Sequence, residues 1–313
     1  MKLRWLLILG LVLCGSAAAQ DYPVKPIRFV LGPGPDVLAR TVGQKLTEAW
    51  GQQIVIDQRP GAGGTIAAEI VAKARGDGYT LLLATGSHTI NASLQKQSYD
   101  LVRDFRPVSL VGSVPFILVV HPSLPVHSVR ELVELARAKP GTLNYGSAGN
   151  GTPPHLAGEM LKTLTGIRLV HVPYKTAAQA MTDVLGGQPQ LMFAVGPVGL
   201  PQVKAGRVRG LAVSTAQRSR MMPELPTVAE SGVPGFEVVG WNGILAPAGT
   251  PPAVVARLYG GIAGALQLPD VVSRLAATGF EPVGSTPEAF AAFVRTDMAR
   301  WARVIRDAGV TVD

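Results

Sequence analysis

A glycine-rich turn carries the clearest chemistry in the sequence. It reads Tyr-Gly-Ser-Ala-Gly-Asn-Gly-Thr over Tyr145–Thr152 and lies between a predicted strand and a predicted helix start. Unpaired backbone N–H groups and the helix dipole favour an anion at such a place, and glycines let the backbone approach a ligand closely. We therefore expect an anion site, with an ordinary turn capped by Thr152 as the alternative. The G-x-x-x-x-G-K-[ST] order of a phosphate-binding loop is absent.

A second turn, Gly32–Asp36, has the same position after the first predicted strand. Ligands of open α/β sheets bind beyond the carboxyl ends of the strands, so two such turns facing one cleft fit a ligand held between them. A third turn, Gly61–Gly64, is less specific, and we interpret it as a place where a helix packs closely against its neighbours.

Metal and catalytic chemistry have little support in the sequence. Among the five histidines, His155 is paired at helical spacing with an acidic residue, Glu159. Because no further ligand is nearby, we expect a satisfied surface pair rather than a metal site. Ser147 directly follows a glycine, whereas the G-x-S-x-G elbow of hydrolases needs one residue between them. An exported hydrolase using Ser147 and His155 is kept as an alternative.

A short segment at a strand end, His171–Lys175, adds two more candidates. Tyr174 and Lys175 either line the cleft, where Lys175 would balance an anionic ligand, or lie at a solvated rim. The residue types alone favour the rim.

Apolar strand patterns alternate with helical patterns along the chain and predict its fold class. The predicted strands are Ile27–Leu31, Ile54–Ile56, Tyr79–Ala84, Phe116–Val120, Leu143–Tyr145, Leu169–Val172, Leu191–Val195 and Val208–Val213. Helices are predicted from about Asp36 (with Leu38, Val42, Leu46 and Ala49 on one face), from a cap at Thr65 to Ala74, from Ser128 to Pro140, from Pro153 to Gly166, from Thr176 to Leu185, and from near Pro251 and Pro287. Ser128, with Glu131 three residues later, has the pattern of a capping box. This alternation predicts an α/β protein with a mostly parallel sheet covered on both faces.

The length of 313 residues suggests two lobes. The second cycle of strands and helices follows the strand that ends at Val120, and an apolar run opening with Trp241 returns the chain to the first lobe. We therefore predict a discontinuous first lobe of residues 20–120 and 241–313 and a second lobe of residues 121–240.

The N-terminus has the pattern of a signal peptide. Lys2 and Arg4 precede an apolar stretch, and alanines at 17–19 predict cleavage before Gln20, so that residues 1–19 are removed. The apolar stretch is too short for a membrane anchor. A lipoprotein is the less favoured alternative, because Leu13 is bulky where a lipoprotein signal needs a small residue before Cys14.

Composition excludes several classes of protein. With 47% hydrophobic and 16% charged residues, the chain is neither disordered nor membrane-spanning after its N-terminus. Since Cys14 is the only cysteine, the mature chain has no disulfide, thiolate metal site or cysteine nucleophile. The basic residues behind the formal net charge of +8 are scattered, so no nucleic-acid partner is expected.

Many ordered segments of the chain resemble one known family, the solute-binding proteins of tripartite tricarboxylate transporters (the Bug or TctC-like family). The resemblance covers nearly all of the mature chain. The segments that carry it are Tyr22–Arg28, Arg59–Gly64, Asp77–Leu82, Tyr145–Thr152, His155–Glu159, Val170–Lys175, Leu185–Gln188, Leu225–Glu230, Ala246–Pro251 and Pro282–Pro287.

The resemblance implies a periplasmic, non-enzymatic protein of the type II binding-protein fold, with two lobes of mixed or parallel sheets and a cleft between them. Its two α/β lobes would close over a small organic carboxylate, aromatic or dicarboxylic, and deliver it to integral-membrane permease subunits. No cofactor or metal is expected, and the chain is expected to be a monomer. A sensor that signals to a membrane receptor is an alternative. The implied ligand-binding residues are Gly32, Gly34, Pro35, Asp36, Ser87, His88, Ser147, Ala148, Gly149, Asn150, Thr152, Tyr174, Lys175 and Trp241.

Two departures from the family pattern bear on the ligand. The first turn runs from Leu31 to Asp36 in four residues, about four fewer than the family pattern V-P-[FY]-x-P-G-G-x-x-D, which predicts an unusual ligand or weak binding. Where the family often reads M-F-D-N, residues 192–195 are Met-Phe-Ala-Val. The loss of a polar contact there makes an amino-acid ligand less expected.

Overall fold

The computed structural model describes residues 22–220 and 222–310. The predicted signal peptide, its cleavage position and Cys14 lie outside the described residues. The strands are β1 (Ile27–Leu31), β2 (Ile54–Gln58), β3 (Thr80–Thr85), β4 (Phe105–Val120), β5 (Asn144–Ser147), β6 (Val170–Pro173), β7 (Leu191–Val195), β8 (Arg209–Val213), β9 (Val239–Pro247) and β10 (Glu281–Pro282). The helices are α1 (Val37–Trp50), α2 (Thr65–Ala72), α3 (Gly86–Leu94), α4 (Val129–Ala138), α5 (Pro153–Thr165), α6 (Ala177–Leu185), α7 (Gly196–Lys204), α8 (Pro252–Leu266), α9 (Pro269–Ala277) and α10 (Pro287–Ala308).

The described strands form a mixed sheet. Its order is β2-β1-β3-β9-β4-β7-β5-β6, and β8 and β10 pair with β4 outside this path. β1 is parallel to β2 and β3, and β5 is parallel to β6 and β7. β4 and β9 run antiparallel to each other and to the strands beside them. The α/β class is confirmed, but the expectation of a mostly parallel sheet is wrong at the centre, where these two strands cross between its halves.

The sheet has two halves joined by β4. Residues 105–115 of β4 pair with β9 in the first half, whereas residues 116–120 pair with β7 and β8 in the second half. The buried Ser214 ties the two crossings together. Its Oγ accepts a hydrogen bond from the N–H of Phe116 (3.0 Å) and donates one to the carbonyl oxygen of Val238 (2.5 Å).

Local sequence signals account for most helix ends. α5 begins at Pro153 and ends before Gly166, which has the left-handed backbone (φ 69°) typical of a helix C-terminus. α4 is capped by Ser128, whose side chain accepts from the N–H of Glu131. The carboxylate of Glu131 accepts from the N–H of His127 rather than from that of Ser128, so the predicted capping box is only half formed.

Two details of the helix predictions are wrong. Leu38, Val42 and Leu46 of α1 are buried as expected, but Ala49 is exposed because it lies past the apolar face. Thr65 is the first residue of α2 and not its cap, a position that Gly64 takes with a left-handed backbone (φ 98°). The hydroxyl of Thr65 donates instead to Gln97.

Three helices, the two-residue β10 and most of β4 were not predicted from the sequence. The predicted strand Phe116–Val120 is only the end of the 16-residue β4. α3, α7 and α9 were not expected, since α3 is built from short polar residues and α7 contains an internal proline. Within the described ranges, no helix is both long and apolar enough to cross a membrane.

Candidate functional site

A cleft opens where the two halves of the sheet meet. It contains about 570 Å³ of space free of protein atoms, part of it open to solvent. The first turn, the start of α3 and β9 form one side, and the start of α5, α6 and the end of β7 form the other. The lining residues are Pro33, Gly34, Pro35, Thr85, Gly86, Ser87, Val114, Phe116, Ala148, Thr152, Pro153, Pro154, Ala177, Val195, Gly240, Trp241, Asn242 and Phe280.

One end of the cleft carries two polar side chains that are available to a ligand. Thr85 and Asn242 are register partners in β3 and β9, and Ser87 follows two residues after Thr85 in the first turn of α3. Ser87 and Asn242 are only 4% and 9% exposed, and neither side chain is hydrogen-bonded to the described part of the chain. This end therefore offers a hydroxyl and an amide to an incoming acceptor.

The remaining walls are apolar. Val114, Phe116, Val195 and Phe280 line the cleft from β4, β7 and the segment before β10. Among the described residues that line the cleft, none is Asp, Glu, Lys, Arg or His. The cleft thus combines a small polar end with an uncharged apolar body.

The glycine-rich turn places Ala148 and Thr152 on the cleft but satisfies much of its own backbone. The N–H of Gly149 donates to Oγ of Ser147 (3.1 Å), and the N–H of Thr152 donates to the carbonyl oxygen of Gly149 (3.3 Å). The N–H of Gly151 donates to the ring of His155 (3.3 Å). Residues 153 and 154 are prolines and have no N–H. Few donors of this turn are left for an anion.

A buried stack of rings lies behind the same turn. Oγ of Ser147 is 2.6 Å from Nε2 of His171, whose ring is stacked between those of His155 (4.2 Å between centroids) and Tyr145 (4.8 Å). Tyr145 donates to the carboxylate of Glu159 (2.6 Å). The expected surface pair of His155 and Glu159 is wrong, because His155 is 5% exposed and bonds the backbone instead.

The alternative hydrolase pair is also contradicted. Ser147 is fully buried, and its histidine partner is His171 rather than His155. A nucleophile must reach its substrate, so Ser147 stabilises the turn and is not presented to the cleft.

Burial keeps the histidines of this region neutral. Burial lowers the pKa of His171 to about 3 and that of His88 to about 4, and it also lowers the pKa of His155. Below the ordinary pKa of about 6.5, the unfolded chain takes up protons at these positions while the folded protein does not. Acid therefore favours unfolding from about pH 6.5 downwards.

We expect this linkage to be visible in one substitution. Lowering the pH from about 7 to about 5 reduces the free energy of unfolding of the wild type. We expect this reduction to be smaller by about 2 kcal/mol in His171→Gln, because the unfolded variant takes up one proton fewer. Urea titrations at several pH values measure it. His127 is exposed, so His127→Gln is the matched control and should follow the wild type. An unchanged pH slope in His171→Gln would mean that His171 is not kept neutral by the fold.

The first turn lies tightly against the Gly61–Gly64 turn. A Cβ on Gly32 would come within 2.9 Å of Cα of Gly64, so Gly32 shapes the turn rather than the cleft surface. Pro33, Gly34 and Pro35 reach the cleft. The carboxylate of Asp36 accepts from Arg40 (2.6 Å) one helical turn later. The buried His88 accepts from the N–H of Thr85 (3.0 Å) and completes a capping box for α3.

A buried carboxylate holds Trp241 at the cleft wall. Oδ2 of Asp297, in α10, accepts from the indole N–H of Trp241 (3.0 Å) and from the hydroxyl of Thr89 (2.6 Å). Burial raises the pKa of Asp297 despite these two bonds. Since the indole N–H is already used, Trp241 offers a ligand its ring face.

The two halves also touch beside the cleft through glycines. Gly63 and Asn91 of the first half meet Asn150 and Gly151 of the second. A Cβ on Gly63 would come within 2.6 Å of the Asn91 amide nitrogen and 2.9 Å of the Asn150 carbonyl oxygen, and a Cβ on Gly151 would overlap Oδ1 of Asn91. This contact, which we call the closing contact, is possible only without side chains at residues 63 and 151.

The predicted site residues thus fall into two groups. Gly34, Pro35, Ser87, Ala148, Thr152 and Trp241 line the cleft. The others lie behind or beside it and do not belong to its lining, with Lys175 exposed to solvent: Gly32, Asp36, His88, Ser147, Gly149, Asn150, Tyr174 and Lys175.

Sequence reasoning missed several lining residues, of which Asn242 matters most. It is the one strongly polar residue in the apolar run Gly240–Ala246, a signal that was available. In the sequence, the lining residues Val114, Phe116, Val195 and Phe280 look like ordinary core residues.

The described residues contain no group of three or more His, Cys, Asp or Glu side chains that could hold a metal ion.

Two sheet halves joined by antiparallel crossing strands, with a cleft between them, define the two-lobed fold of periplasmic binding proteins. The structure of the periplasmic binding protein BugD is similar, with a TM-score of 0.88 and 34% identity over 93% of this chain and 99% of that one. The family model described as "Tripartite tricarboxylate transporter family receptor" (TctC) matches residues 38–310, and the chain belongs to this family. The resemblance seen in the sequence is confirmed, and the family is one of solute-binding proteins.

Two further similar structures come from Rhodopseudomonas palustris. Rpa4515, solved with adipate, has a TM-score of 0.90 and 38% identity, over 93% of this chain and 99% of that one. MatC (Rpa3494), solved with bound malate, has a TM-score of 0.86 and 30% identity, over 91% of this chain and 100% of that one. Both of those proteins were thus solved with dicarboxylic acids.

Proposed function

We propose that this protein captures a small organic carboxylate in the cleft between its two halves and delivers it to a tripartite tricarboxylate-type permease. The observation that carries the proposal is the cleft itself. At one end it has the Ser87 and Asn242 side chains, which have no hydrogen-bond partner among the described residues, and its lining carries no charged side chain. Family membership supports the binding role, and the adipate and malate in the two R. palustris structures support an acid as ligand.

The proposal also includes the cellular location of the protein and the division of its chain into two lobes. Residues 1–19 would direct export to the periplasm, where the permease subunits can be reached. The first lobe would comprise residues 20–120 and 241–313, and the second residues 121–240. The hinge between such lobes would lie at the crossing strands, and the hydrogen bonds of Ser214 to Phe116 and Val238 support this.

The test is a thermal-shift screen of the mature protein against carboxylates, with sugars and amines as controls. A ligand at about 100 times its dissociation constant adds about 2.7 kcal/mol of stability, which gives a clear rise in melting temperature. We expect a rise with one class of carboxylate only. A flat response to every carboxylate from a folded sample freed of bound ligand would contradict the proposal.

A further inference from the structure

We propose that the cleft selects an acid with a single carboxylate, held at Ser87 and Asn242, and an uncharged apolar body. This inference rests on the proposed function and narrows it. This selectivity would distinguish the protein from a receptor for diacids, because the polar end of the cleft would bind a carboxylate and the rest of the cleft would bind the apolar body.

The polar end provides for one carboxylate. Ser87 and Asn242 are more than nine-tenths buried, lie on neighbouring elements and have no partner among the described residues. Gly86, beside them, is the first residue of α3, where backbone N–H groups have no partner within the helix, although the N–H of Ser87 donates to the hydroxyl of Thr85 (3.3 Å). A hydroxyl, a side-chain amide and a helix start on one side of the cleft form a set of donors for a carboxylate.

The apolar walls offer no side-chain donor to a second carboxylate. Val114, Phe116, Val195 and Phe280 present only carbon to the cleft. A carboxylate placed against them would lose its water without gaining hydrogen bonds, which is strongly unfavourable. The same walls would stabilise an alkyl chain or an aromatic ring by removing its surface from water.

Among the described residues that line the cleft, no cation makes up for this. Lys175 is exposed and lies outside the cleft lining. The N–H groups of Gly149, Gly151 and Thr152 are used within the glycine-rich turn, and the two prolines after it have none. The buried Asp297 behind Trp241 is an acid and offers no attraction to a second carboxylate.

Matched acids test the selectivity. Hexanoate and adipate have the same six-carbon chain and differ by one carboxylate, as do benzoate and terephthalate. Titration calorimetry with the mature protein should give dissociation constants at least 10-fold lower for one monoacid than for its diacid. Equal or tighter binding of the diacid would overturn the selectivity and leave the proposed function standing. If no acid of either kind binds, both proposals fail.

Two substitutions test which end of the cleft binds the carboxylate and which part binds the apolar body. Asn242→Leu should weaken binding of the preferred monoacid at least 10-fold, and Asn144→Leu, the same change outside the cleft, should leave it unchanged. Val195→Asn should narrow the difference between hexanoate and adipate, because it adds a donor to the apolar wall. Melting temperatures check that each variant is folded, and Ser87→Ala is a milder second probe of the polar end. Full affinity in both Asn242→Leu and Ser87→Ala would overturn the assignment.

Discussion

Replacing Asp297 with alanine is expected to lower the free energy of unfolding by about 2–4 kcal/mol and to loosen the cleft wall. The substitution leaves the buried indole N–H of Trp241 unpaired, whereas the hydroxyl of Thr89 can still donate to the carbonyl oxygen of Gly86 (2.9 Å). An unpaired buried donor costs about 1–3 kcal/mol, and the space left by the carboxyl group adds to this. Because α10, α3 and β9 all meet at this carboxylate, the change should also release Trp241. Urea unfolding and the tryptophan emission spectrum measure the two effects.

Two control variants distinguish the loss of the buried acceptor from the loss of the charge and from a general effect of substitution in α10. Asp297→Asn keeps an oxygen acceptor and removes the charge that burial disfavours, so we expect a loss of only about 1 kcal/mol. Asp307→Ala makes the same change at an exposed position of α10 and should have little effect. The account of this network is wrong if Asp297→Ala costs no more than Asp307→Ala.

Replacing Gly151 with valine is expected to weaken ligand binding about 30-fold. Gly151 has a left-handed backbone (φ 69°), and a side chain there would overlap Oδ1 of Asn91 in the closing contact. If the halves can no longer meet, the closed form becomes less populated, and apparent affinity falls in proportion. A cost of about 2 kcal/mol for the closed form corresponds to the 30-fold change.

Gly166 provides a matched control for backbone strain. It has the same φ of 69°, but a Cβ there would meet nothing within 4 Å. Gly166→Val should therefore lose about 1–2 kcal/mol of stability from strain and keep its affinity. Calorimetric titrations of both variants with the best acid from the thermal-shift screen make the comparison. Equal affinities would show that the closing contact has no part in binding.

Much of the fold could be predicted from local patterns. The apolar runs of β1 and β7 and the cap signals of α4 and α5 depend on neighbours within a few residues, and the structure has them at the expected places. The antiparallel crossing of β4 and β9 could not be found in this way. It depends on pairings such as Ser113 with Trp241, which lie far apart in the chain.

The candidate site was predicted only in part, for a related reason. The turns were visible because glycine and proline mark them, so Gly34, Pro35 and Ala148 were found. Whether a polar side chain faces a ligand or a neighbour is decided by tertiary contacts. The side chain of Ser147 bonds His171, whereas that of Asn242 has no partner among the described residues and lines the cleft.

One measurement tests the central claim, that the cleft between the halves is the binding site for an organic acid. Hexanoate and adipate are titrated calorimetrically into the wild type and into two variants of α6. Ala177 is buried and lines the cleft, whereas the next residue, Ala178, is exposed. We predict that Ala177→Phe, by filling the cleft, abolishes binding of whichever acid the wild type binds, and that Ala178→Phe binds it like the wild type. Unchanged binding by a folded Ala177→Phe variant would contradict the account, because the acid would then bind elsewhere.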